Sequence, residues 1–272
     1  MPAPPLIRII SDLHYGDRAG RIKDLAGLGP LVPDAGELVL NGDTLDTRPG
    51  YETVAGRRRA EVLAFVGQCR VPVRLLTGNH DPDISPDHWC ELAGGQVLVT
   101  HGDIAFEDIV PWGRDATLAR RLVAAARQEL SDASLASLLT AHRRAAAAIP
   151  QQHQSEPHLG RYLRSFLRDT FWPPSRIPRI LRAWAEHPGR MARLIRPERA
   201  AARFIIVGHT HRPGFWHLPG GLVVINTGSF CPPLGPRLVE VAPDHVALRH
   251  IVLRRDEARP AGTLAEFALA TA

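Results

Sequence analysis

Short apolar runs alternate with polar loops over the first hundred positions, and four of them have the length of buried strands: 6–10, 37–40, 71–76 and 96–100. Positions 51–68 follow helical spacing instead, with Val54, Leu63, Phe65 and Val66 expected toward the core. Strand–helix–strand order predicts an α/β layered fold. From about 105 to 202 the pattern becomes helical, in ATLARRLVAAARQEL, LASLLTAHRRAAAA and HLGRYLRSFLRDTF, and prolines 173, 174, 178, 188 and 197 punctuate its second half. Strand patterns return at 204–207, 214–217, 222–226, 237–241 and 246–252. The turns Pro219-Gly220-Gly221 and Pro243-Asp244 between them predict antiparallel hairpins. The chain thus divides into a core of 1–104 and 203–255, a helical insertion of 105–202, and a peripheral tail of 256–272.

The polar segments at the strand ends are more informative than the strands themselves. The first strand runs into SDLHYGD, the second into NGDTLD, the third into TGNHD, the fourth into HGD, and the one at 204–207 into GHTHRP. In open α/β sheets the ligand crevice lies at the carboxyl ends of the strands. Neighbouring strands would therefore bring Asp12, His14, Asp43, Asn79, His101, His209 and His211 to one place. Taken singly, an Asp there is usually a cap or turn residue and a His is usually packed. As a set they combine carboxylate, imidazole and carboxamide oxygen, which suits Mn²⁺, Fe²⁺ or Zn²⁺, and the lack of thiolate argues against a structural zinc. Seven donors exceed what one open catalytic ion takes and fit two ions sharing a carboxylate. Asp12-x-His14 and His209-x-His211 would put two donors on one side of an extended segment.

Charge changes the picture in one region. The chain of 272 residues carries +5 overall, yet 105–202 holds sixteen Arg, no Lys and nine acids, a net +7 that leaves the remainder at −2. A basic insertion suits anionic partners: phosphates, nucleic acid or a membrane surface. Cys69, Cys90 and Cys231 are too few and too scattered for a disulfide framework or zinc knuckle, so reduced thiols are expected. MPAPPLIRII has no basic segment ahead of a long apolar run, and no run approaches the roughly 18 apolar residues of a membrane span. A cytoplasmic protein, able to touch a membrane from inside through the insertion, is the expectation.

In their order, D-x-H, G-D, G-N-H-D, H-G-D and G-H-T-H resemble the signature of the calcineurin-like metallophosphoesterases, over roughly 6–103 and 203–250. The resemblance implies a four-layer αββα sandwich, here with a helical cap insertion. It implies two divalent ions, Mn²⁺ first with Fe²⁺ and Zn²⁺ as alternatives: Asp12, His14 and His211 on one, Asn79, His101 and His209 on the other, Asp43 between them. His80 would be a non-ligand proton donor to the leaving group, oriented by Asp81. The reaction implied is hydrolysis of a phosphoester or pyrophosphate by in-line attack of a water that the ions activate.

Around that centre, Asn41, Arg48 and Arg212 are candidates for substrate phosphate, as are Arg161, Arg164 and Arg168 of the insertion. Asp17, Asp46 and Asp103 lie beside the motifs, as supporting groups or solvated loop carboxylates. His88, His142, His153 and His158 are expected at the surface. The insertion leaves the core just after His101 and returns just before His209, so it is placed to cap the ions, with Trp112, Trp172 and Trp184 available to an apolar substrate part. Such an insertion also resembles the UDP-2,3-diacylglucosamine hydrolases, in which it covers acyl chains. Those enzymes commonly carry Arg where this chain has His80. A nucleotide- or lipid-linked pyrophosphate is the leading substrate class. The rivals are a nuclease or phosphodiesterase acting on nucleic acid or cyclic nucleotides, against which stand the missing Lys of the insertion and the lack of a nucleic-acid module, and a non-catalytic scaffold of the same fold, against which stands the filling of every ligand position.

Overall fold

A computed structural model describes residues 6–130, 132–152, 156 and 158–270. The first third of the chain is wound as the apolar pattern requires. Strands β1 (Leu6–Ile10), β2 (Ala35–Asn41) and β3 (Val73–Leu76) are parallel neighbours, and α1 (Glu52–Gln68) crosses between the last two. A second sheet begins with β4 (Trp89–Leu92) and β5 (Val97–Thr100), an antiparallel pair. The insertion comes next as α2 (Ala116–Glu129), α3 (Leu135–Ala147), α4 (Leu159–Phe171) and α5 (Arg176–Ile195). The chain returns through β6 (Phe204–Val207), β7 (Gly214–Leu218) and β8 (Leu222–Asn226), then β9 (Arg237–Val241), β10 (His245–Arg254) and β11 (Glu257–Ala268).

One sheet has the order β11-β10-β9-β1-β2-β3, the other β4-β5-β6-β8-β7. Strand side chains alternate between faces, and both faces of the central strands are buried. Ile9, Val39 and Leu76 meet Val97, Val99 and Ile206 between the sheets. Ile10, Leu38 and Leu40 point the other way, onto Leu25, Leu28 and Leu31 of a 3-10 turn and Val62 of α1. Leu98, Ile205 and Val224 do likewise for the second sheet, against Leu139 of α3 and Ala183, Met191 and Ile195 of α5. The result is a mixed α/β sandwich, two sheets flanked by helices. Each fully buried Leu or Ile in these faces contributes about 1.5–3 kcal/mol.

Four expectations change. Strand β4 was not foreseen, because WCEL is too short and mixed to stand out. Leu63 of α1 faces solvent, while Ala55 and Val62 are the buried positions of that helix. Helix α5 runs through Pro188 where the prolines suggested interruption. The expected tail after Asp256 is instead β11, paired along β10 from His245↔Ala268 to Arg254↔Glu257.

Candidate metal centre

The carboxyl ends of β1 and β2 in one sheet and of β5 and β6 in the other meet at the same edge of the sandwich, and the loops leaving them are laced together. Asp12 and His14 donate backbone N–H to the carbonyls of Gly42 and Asp43 (3.1 and 2.9 Å), and Gly208 N–H bonds the His101 carbonyl at 2.9 Å. Across the sheets, His209 N–H reaches the Asp12 carboxylate at 3.1 Å.

The donors converge. Asp12, His14 and His211 form one group, Asp12, Asp43 and His101 a second, and His14, Asp43 and His80 a third, each with ligand atoms within 4.8 Å of one another. His211 Nε2 lies 3.2 Å from Asp12 Oδ1 and 3.1 Å from His14 Nε2. His101 Nε2 is buried without a hydrogen bond, 3.2 Å from Asp43 Oδ2. His209 Nδ1 sits 2.8 Å from Asn79 Oδ1, with its Nε2–H given to the carbonyl of Ile109. A nitrogen left without a proton beside a carboxamide oxygen, and a buried nitrogen with no hydrogen-bond partner, are the arrangement a cation completes. The residues fit divalent ions.

The backbone is bent to achieve this. Asp12, His14, Asp43, His209 and His211 all have positive φ, between 46° and 66°, so these segments are not the extended ones that the x-spaced pairs suggested. Each such residue costs about 1–3 kcal/mol in general, least for Asp and His, and strain of this kind concentrates at functional sites. Two glycines are obligatory here: a Cβ at Gly78 would stand 2.2 Å from Asp43 Oδ1, and one at Gly208 2.1 Å from Asp12 Oδ2.

The electrostatics point the same way. Burial alone raises the Asp12 carboxyl, but the hydrogen bond from His211 and the charge of His101 outweigh it and hold it below the usual range. Asp43 is held well below, burial again being overcome by His101 and His80. Burial lowers His14 to about 4 and His209 to about 3, helped by neighbouring imidazoles. His101 alone goes up, to about 10, because Asp43 overrides its burial. A pocket whose carboxylates stay ionised while His14 and His209 stay neutral offers lone pairs to a cation.

Beside the donors stands His80, and its partner is a correction. Asp81 does not orient it. Buried and surrounded by backbone, Asp81 accepts from the N–H groups of Gly78, Asp43 and Thr44 (2.7–2.9 Å), tying two ligand loops together. The residue on His80 Nδ1 is Asp46, at 2.8 Å, itself gripped by Arg48 through Nε and a terminal nitrogen (3.1 and 2.7 Å). Burial raises the Asp46 carboxyl, but the charges of Arg48 and His80 hold it well below its usual range. Arg48 is buried in this pairing, and Asn41 is spent on the carbonyl of Thr100. Arg212 donates to the Trp184 carbonyl, Arg161 pairs with Glu156, and Arg164 and Arg168 are exposed on α4.

The other candidates lie around this centre or away from it. Asp17 accepts the Tyr162 hydroxyl of α4 at 2.7 Å. Asp103 is buried against Arg143 of α3. His142, expected at the surface, is buried between the carbonyls of Leu138 and Phe106. His88 is half-buried on Thr77, His158 is exposed, and His153 lies outside the described residues.

The family model described as calcineurin-like phosphoesterase matches residues 5–213. The chain belongs to that family. No curated protein matches it. Among solved structures, vacuolar protein sorting 29 from Cryptosporidium parvum is similar over 98% of this chain and 100% of that one, at 14% identity and a TM-score of 0.47. A dimetal phosphatase from Danio rerio is similar over 90% and 96%, at 15% identity and 0.44. A phosphoesterase-like protein from Streptococcus pneumoniae is similar over 97% and 98%, at 17% and 0.38. No described helix is long and apolar enough to cross a membrane.

Proposed function

We propose that this protein hydrolyses a phosphoester or phosphoanhydride bond at a pair of divalent ions. The observation that carries the reading is the convergence of Asp12, His14, Asp43, His101 and His211 from loops of both sheets, with His101 Nε2 buried and unbonded among carboxylates. Asp12, His14 and His211 would hold one ion, Asn79, His101 and His209 the other, with Asp43 shared. Such ions supply Lewis acidity toward phosphate oxygens and a water of lowered pKa. His80 stands at the same place with Nδ1 on Asp46, so its Nε2 is the atom free to give a proton to a departing oxygen. Mn²⁺ is the ion proposed first, with Fe²⁺ and Zn²⁺ as the alternatives for an O/N donor set.

For the substrate we propose a nucleotide- or lipid-linked pyrophosphate. What supports it is the outer surface of α4 and α5, where Leu163, Leu167, Trp172, Ile177 and Leu181 are exposed beside Arg164 and Arg179. A surface that pairs apolar side chains with guanidinium groups suits an anionic head on an apolar body. The test is a screen of aryl phosphates, phosphodiesters, nucleotide sugars and UDP-linked lipids with each of the three metals. Metal-dependent release of a nucleoside monophosphate from the lipid-linked compounds, faster than any aryl phosphate cleavage, is the expected result. Faster cleavage of simple monoesters would overturn the substrate class, and inertness in every metal would overturn the hydrolase reading.

A further inference from the structure

Among the described residues, several hydrogen bonds join the helical insertion to the loops that carry the donors. His187, in the middle of α5, lies 3.0 Å through Nε2 from the carbonyl of Gly102, the residue after His101. Trp184, one turn earlier on the same helix, gives its indole N–H to the carbonyl of Thr210, between His209 and His211, at 2.8 Å. The carbonyl of Ile109, in the segment leading toward α2, accepts His209 Nε2–H at 2.9 Å. A carbonyl can only accept, so both imidazoles carry their proton on Nε2. For His209 this leaves Nδ1, the nitrogen beside Asn79, free for an ion.

These bonds are made from fixed points. Helix α5 is packed onto the outer face of the second sheet through Ala183, Met191, Ala192 and Ile195. His187 and Ile109 are each 2% exposed. Ile109 is held at φ +57°, a backbone conformation that β-branched residues avoid, and its carbonyl meets His209 in that bent segment. Arg212, directly after His211, adds a contact to the same helix. It donates to the Trp184 carbonyl at 3.1 Å, with its guanidinium over the rings of Trp184 and Trp216 (5.9 and 5.3 Å).

We infer that Trp184 and His187 are positioning residues of the metal centre, so that the insertion is part of the frame holding the ligands and not a separate lid. The inference rests on the two-ion reading above. Partners that orient metal ligands from outside are generally worth 10–100-fold in metal affinity. By the same coupling, loading the ions tightens the insertion against the core.

Calorimetric titration of the metal-free, full-length protein with Mn²⁺ tests this, using Trp184→Phe, His187→Leu, His187→Gln and, as a control on the exposed side of α5, Arg193→Ala. Circular dichroism and thermal melts without metal establish that each variant is folded. Trp184→Phe and His187→Leu are expected to bind Mn²⁺ about tenfold or more weakly. His187→Gln, whose amide N–H can serve the same carbonyl, recovers most of the loss, and Arg193→Ala matches the wild type. Wild-type affinity, within about twofold, in both Trp184→Phe and His187→Leu overturns the inference while leaving the two-ion reading intact. A wild type that takes up no divalent ion overturns both. If His187→Leu does not fold, Trp184→Phe, which keeps an aromatic ring in place, decides.

Discussion

The pairing of His80 with Asp46 shows what adjacency in sequence hides. Asp81 is the next residue after His80 and looks like its partner, yet it faces the backbone of two ligand loops, while Asp46 comes from thirty-four positions away. The donor types and their spacing are legible because they are local. The orienting carboxylate is not, because the loops after β2 and β3 must first meet. For catalysis the pairing carries a sharp expectation. His80→Ala keeps both ions but loses about 10²–10⁴-fold in turnover toward substrates with poor leaving groups, and much less toward aryl esters, which leave unprotonated. Asp46→Asn shows the same pattern more weakly, whereas Asp81→Asn acts through the ligand loops and lowers metal content. Elemental analysis beside kcat for a graded set of leaving groups separates the three. Equal losses for good and poor leaving groups in His80→Ala would refute the proton-donor role.

Helix α5 was poorly visible in sequence, yet it is closely bound up with the site. Its prolines read as interruptions, but Pro178 falls in the first turn, where a missing N–H costs nothing, and Pro188 is accommodated mid-helix. Tertiary packing of Ala183, Met191 and Ile195 outweighs the local preference. Fixing α5 there buries His187, and burial, only partly offset by the bond to Gly102, lowers its pKa to about 4. The unfolded chain takes that proton near 6.5. Between these values the unfolded state binds more protons than the folded one, so stability falls as pH drops through this window, by about 3 kcal/mol in all, and the loss is complete below pH 4. Above pH 6.5 the residue contributes no pH dependence. His187→Gln removes the titration, so urea melts of the metal-free protein from pH 7 to 4 are expected to show a shallower decline in the variant than in the wild type. Parallel curves would mean that His187 is not the residue refusing the proton.

Across the whole molecule, the layered α/β arrangement and the convergence of the donor loops were readable from five apolar runs ending in polar clusters. The second sheet's edge strand β4 and the closing strand β11 were not. A short strand with mixed polarity carries almost no signal, and ARPAGTLAEFA alternates apolar with polar residues too loosely, with a proline inside, to announce a pairing. What reveals β11 is its partner. It covers β10 over nearly its whole length, buries Ala258, leads into the buried Leu269, and inserts Phe267 among Phe204, Phe215 and His217 (ring centroids 5.3–5.8 Å). That aromatic group links the end of one sheet to strands β6 and β7 of the other. Removing residues 257–272 would expose the long edge of β10 as an unpaired row of backbone groups and uncover the apolar seam between the sheets. The truncated chain is therefore expected to melt more than about 10 °C below the full chain, or to aggregate on expression. A melting temperature within about 2 °C of the full chain would restore the peripheral tail that the sequence suggested.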